Sequence, residues 1–206
     1  MREGSTFGFR RMDGTSEADT FRFLWRVSVV LTRFSEDYEP TYERLESWNF
    51  VDLSIVRLSR TQFLRIENPG RNLRDLMNAL ESIVGLGFSC LPVIFDTVTP
   101  DDFSEGVDEA RLVGFKVVGV VGEDLVARME FASKNGIDLK AMSLLKGVRY
   151  KVDAAVFECS YRGLRGQVSI AAGGTVRLAG QLTPRLIHLI EKKLPSLTNK
   201  SHAESE

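Results

Sequence analysis

The sequence predicts an α+β protein: a largely antiparallel, mixed sheet with helices laid on one face. Apolar and polar residues alternate along several segments with the period of a half-buried strand. Glycine-bearing breaks join these segments into consecutive hairpins, which makes their pairing antiparallel. Two further segments, each following a hairpin, carry apolar residues at helical spacing.

Along the chain, Met1–Thr20 is polar and glycine-bearing and is expected to be a loosely held end. Phe21, Phe23, Trp25, Val27, Val29 and Leu31 alternate with Arg22, Arg26, Ser28 and Thr32, the clearest strand in the chain. Pro40 and Thr41 precede a short charged segment through Trp48 that reads as a helix. Leu53, Ile55 and Arg57 oppose Phe63, Arg65 and Glu67 as two strands joined by a tight turn near Ser59–Thr61. After Asn68-Pro69-Gly70, Asn72 is placed to cap a helix carrying Leu73, Leu76, Leu80 and Ile83, which stops at Gly85 and Gly87.

Cys90–Val98, with Pro92 inside it, reads as a short edge strand, and Thr99-Pro100 as the opening of an acidic helix. Phe115–Val121 reads as a strand and Glu123–Lys134 as a helix ended by Asn135-Gly136. Three strands follow at Tyr150–Tyr161, Gln167–Ala171 and Thr175–Leu178, with turns at Arg162-Gly163 and Gly173-Gly174. Thr183 and Pro184 take the cap and first-turn positions of a helix whose Leu186, Ile187, Ile190 and Leu194 face inward, closing at Pro195. Leu53–Ile83 and Ala155–Leu194 share a strand, strand, helix order, a weak internal repeat that common packing physics explains about as well as duplication.

Charge divides the chain more sharply than hydropathy does. Residues 1–144 hold 17 basic and 23 acidic side chains, residues 145–195 hold 9 and 3, and residues 196–206 hold 1 and 2. The expected organisation is a flexible segment 1–20, an acidic α+β part 21–144, a basic part of hairpins and helix 145–195, and a flexible tail 196–206. The basic part belongs to the same domain or forms a small second one. No apolar run approaches the length of a membrane span, and Met1–Thr20 lacks a secretory pattern, so a soluble cytoplasmic protein without a membrane partner is expected.

Most catalytic chemistries lack their reagents here. Two cysteines, Cys90 and Cys159, and two histidines, His188 and His202, show no ligand spacing, and no metal or cofactor is expected. Asp96 ends an apolar run, as phosphotransfer nucleophiles do, but Val98 stands where a second carboxylate or a threonine is wanted. Asp138-Leu139-Lys140 has the acid-x-lysine spacing of metal-dependent nucleases, for which Asp96 is the upstream carboxylate. Gly119 and Gly122 precede Glu123 and Asp124, whose charge repels phosphate.

The remaining candidate is the basic part, where Arg149, Lys151, Arg162, Arg165 and Arg177 lie among tyrosines and glycine turns. These five residues are expected to contact an anionic partner, nucleic acid or an acidic protein, in a non-enzymatic binding module. Two alternatives stand beside it: a metal-dependent hydrolase or nuclease using Asp96, Asp138 and Lys140, and a structural subunit of a homo- or hetero-oligomer.

Overall fold

The computed structural model describes residues 6–12, 18–58, 61–70, 73–95, 98–120, 125–147 and 149–198. The chain divides into two compact units, residues 1–90 and 91–206. By these boundaries the charge is even, 12 basic against 13 acidic residues and then 15 against 15. The boundary at residue 144 that charge suggests falls inside the second unit.

The first unit is a four-stranded antiparallel meander, β1 (Phe7–Arg11), β2 (Ala18–Phe34), β3 (Pro40–Leu58) and β4 (Thr61–Glu67), followed by helix α1 (Arg74–Val84). Odd-numbered residues of β2 and β3 face the helix: Phe23, Val51 and Leu53 pack with Leu76 and Ala79 of α1, and Phe7 and Phe9 of β1 close over Phe23. Within the N-terminal segment, Phe7–Arg11 is thus anchored where a loose end was expected, because Phe7 and Phe9 alternate across a strand too short to register as a period. On the opposite face, the Arg22 guanidinium grips Asp52 with two hydrogen bonds of 2.7 and 2.8 Å. That contact holds the Asp52 carboxyl below its usual range.

The expected helix from Pro40 to Trp48 is instead the outer half of β3. Pairing with β2 over seventeen residues, Ala18 opposite Val56 through Phe34 opposite Pro40, overrides a local charged pattern that suits a helix equally well. Arg33–Glu43 and Arg26–Glu46 ion pairs lie across this ribbon. The β3–β4 hairpin and α1 stand where the sequence places them, but the hairpin register is one residue from that expected: Leu53, Ile55 and Arg57 oppose Ile66, Leu64 and Gln62, and Phe63, Arg65 and Glu67 oppose Val56, Ser54 and Asp52. Ser59 and Asn72 lie outside the described residues.

The second unit holds β5 (Glu109–Val120), β6 (Val126–Ala132), β7 (Arg149–Tyr161), β8 (Leu164–Ala171) and β9 (Val176–Gly180), ordered β6-β5-β7-β8-β9, then helix α2 (Thr183–Thr198). Every pairing is antiparallel, so the fold is α+β as expected, with its strands divided between a four-stranded and a five-stranded sheet. Both units end in three consecutive strands and a helix. Phe157, Val168 and Ile170 on the sheet pack with Leu182, Leu186 and Ile190. Gly166 permits this approach, since a β-carbon there would lie 2.8 Å from Leu182 Cβ and 2.9 Å from Leu186 Cδ1.

Several expected elements change. The expected helix over residues 123–134 is strand β6 over its described residues, because Ala127, Met129 and Phe131 alternate with Arg128 and Glu130. The acidic helix after Thr99 is one 3-10 turn, Pro100–Phe103, closed by Asp102 accepting from the Thr99 amide at 2.7 Å. The described residues of 90–98 form no strand, although the Phe95 amide donates to the Ala172 carbonyl. Helix α2 passes through Pro195 to Thr198, because Leu197 is drawn into the core.

Burial also separates the two thiols. Cys159 sits in the core and is pushed up to about 11, whereas Cys90 is exposed. Alkylation of the native protein at pH 8 is expected to modify Cys90 alone, and both thiols after denaturation; mass spectrometry of the two samples checks this.

Candidate anion-binding face

The face of the second sheet turned away from α2 is selected by alternation and by two bulges. Core-side residues on β7 are Ala155, Phe157 and Cys159, and on β8 Gly166, Val168 and Ile170, so their neighbours point outward. Val113 on β5 and Asp153 on β7 have no partner opposite them, and each shifts the alternation of its strand by one. Beyond Asp153, Tyr150 and Val152 therefore turn to the core side, and Arg149 and Lys151 turn outward.

This face gathers seven cations, Arg111, Lys116, Arg128, Arg149, Lys151, Arg165 and Arg177, against the acids Glu109, Glu130 and Glu158, with Asp153 exposed at the bulge beside Lys151. Arg111 bonds Glu158 at 3.0 Å and lies 3.5 Å from Glu109, while Lys116 meets Glu130 at 3.0 Å. Arg128, Arg149, Lys151, Arg165 and Arg177 are exposed, and none has a carboxylate partner among the described residues. Between them stand small or polar side chains, Ala154, Val156, Ser160, Gln167 and Ser169. Arg165 lies opposite Ser160, nine residues along β7 from Lys151, so the cations span roughly 30 Å.

Four of the five residues singled out in the sequence, Arg149, Lys151, Arg165 and Arg177, thus share one face. Arg162 is elsewhere: it occupies the β7–β8 turn at φ 50°, its amide donates to Asp108 Oδ2 at 2.6 Å, and its guanidinium lies over the Tyr161 ring. Arg185 covers the same ring at 3.6 Å and donates to the Gly106 carbonyl, which occupies it within the unit. Lys192 and Lys193 are met by Glu105. Sequence reasoning missed Arg128 because its segment was assigned helical; the alternation of Ala127, Met129 and Phe131 was the available signal.

Tyr150 and Tyr161 both turn to the helix side, so among the described residues the face offers no aromatic ring on which an unpaired base stacks. Its chemistry is that of separated guanidinium and ammonium groups over a low, small-residue floor, suited to phosphate or carboxylate oxygens. Beside Lys151 a shallow cleft of about 440 Å³ is lined by Val118, Asp153 and Gly173 among others.

Of the alternative catalytic set, Asp138 precedes the 3-10 turn Leu139–Ala141 and does not lie on a strand, while Asp96 and the side chain of Lys140 lie outside the described residues. Among the described residues, no three His, Cys, Asp or Glu side chains converge as metal ligands, and no helix is long and apolar enough to cross a membrane. Compared with family models, curated proteins and solved structures, the chain matches none of the three.

Proposed function

We propose that this protein is a non-enzymatic binding module that holds an anionic macromolecule, double-stranded nucleic acid above all, against the helix-free face of its second sheet. The observation that carries this function is the set of five exposed cations without carboxylate partners on one sheet face. The absence of an outward aromatic ring favours phosphate backbones over unstacked bases.

Fluorescence anisotropy with labelled duplex and single-stranded DNA and RNA tests it. Five phosphate contacts give a log-log salt slope of about −4.5, so duplex affinity is expected to fall about 500-fold between 50 and 200 mM salt. Arg165→Ala and Arg177→Ala are each expected to weaken binding uniformly across sequences, while Arg162→Ala leaves it unchanged. No duplex binding at low salt would overturn the nucleic-acid assignment, and capture of a polyglutamate chain in its place would identify an acidic protein as the partner.

A further inference from the structure

The first unit carries a second, independent feature. Beyond Trp25, β2 leaves its neighbour β1 and runs on to Phe34 paired only with β3 among the described residues. The Arg26 amide still donates to the Thr6 carbonyl at 2.9 Å. That bond fixes which backbone groups point to the open side: by antiparallel alternation they belong to even-numbered residues, so the outward N–H and C=O groups of Ser28, Val30, Thr32 and Phe34 meet no partner strand among the described residues. Val29, Val30, Leu31 and Phe34 are 45%, 58%, 38% and 69% exposed.

The two edges of the ribbon differ in kind. The outer edge of β3 carries Pro40, which has no N–H to offer, and the charged Glu43, Arg44 and Glu46, all features that block further pairing. The β2 edge from Val27 to Phe34 has a single charge, Arg33, no proline and four β-branched residues. Its sequence is that of a strand lacking a neighbour.

We propose that two copies of this chain pair antiparallel through the open edge of β2, about a two-fold axis at Leu31. Outward groups of one copy must meet outward groups of the other, so even-numbered residues face even-numbered ones. The register that uses all four sets Ser28 opposite Phe34 and Val30 opposite Thr32, twice over, with Leu31 opposite itself. Four such pairs make eight hydrogen bonds, within the usual complement of about ten for a stable interface. The seam ends at Ser28, because Thr6 already stands opposite Arg26. Shifting the register by one residue loses the backbone match.

Light scattering on the full chain tests the mass, and cross-linking tests the register. Twice the chain mass of 23.1 kDa is expected at high micromolar concentration. Val30→Pro removes an outward N–H and no bond to β3, so it is expected to give a monomer with an unchanged far-UV circular dichroism spectrum. In a Cys90→Ser background, Leu31→Cys is expected to form a disulfide dimer, since directly opposed non-hydrogen-bonded residues lie about 4.5 Å apart between α-carbons. Leu45→Cys, three strand spacings across and four residues along from its symmetry mate, about 20 Å away, is expected to stay free. A wild-type monomer, a dimer that survives Val30→Pro, or cross-linking at Leu45→Cys without Leu31→Cys would overturn the proposal. So would a monomer that dimerises only when residues 1–5 are deleted, which would give the edge to the chain's own N-terminal residues by continuation of the β1–β2 register. Loss of dimerisation leaves nucleic-acid binding by the second unit unaffected, so the two proposals fail separately.

Discussion

Phe157→Ala is expected to destabilise the second unit by about 3–5 kcal/mol. Phe157 has no exposed surface, packs 5.0 Å from the Phe103 ring and lies beneath α2 at the centre of the larger core. The protein's two tryptophans, Trp25 and Trp48, are both in the first unit, so tryptophan fluorescence reports that unit and far-UV circular dichroism reports both. A downward shift of roughly 15–25 °C in one circular dichroism transition is expected. The tryptophan-detected midpoint stays in place. Equal shifts by both probes would show that the two units unfold as one.

The second large effect concerns charge. Reversing Lys151, Arg165 and Arg177 together to glutamate leaves two of the five exposed, carboxylate-free cations, Arg128 and Arg149, and adds three repelling carboxylates. Duplex affinity at low salt is expected to drop by at least about 100-fold, and the salt slope from about −4.5 to about −2. All three side chains are exposed and stand on strands whose opposite side makes the core, so the melting temperature of the variant is expected to match wild type within a few degrees. Unchanged affinity in a folded variant would remove this face from the binding event.

Where a segment's own pattern had no competitor, the sequence was readable. Phe21 to Leu31 alternates cleanly, and Leu73 to Ile83 repeats at helical spacing between glycine breaks; both elements stand as expected. Pro40 to Trp48 and Glu123 to Lys134 were misread for one reason: each mixes charge with apolar residues at spacings that suit a helix and a strand alike, and only the partner strand decides. Phe7 and Phe9 offered too few residues for any period. The basic residues were legible as a composition, but their sharing of a face was not. That depends on the pairing registers, and Arg162 was separated from the others by a turn conformation of φ 50°.

The two bulges work as local frameshifts, each absorbed where it arises. Read with an unbroken period of two, β7 would print Arg149 and Lys151 on the same side as Ala155 and Phe157, inside the core. One supernumerary residue, Asp153, takes up that mismatch on β7, and Val113 does the same on β5. Deleting either residue would close its bulge into ordinary pairing and leave every other side chain on the face it now holds. Inserting a residue elsewhere in β7 without a new bulge would instead send cationic and apolar residues to each other's side without a single substitution. The parity of the sequence and the sides of the sheet are thus separate records, reconciled at one position on each strand.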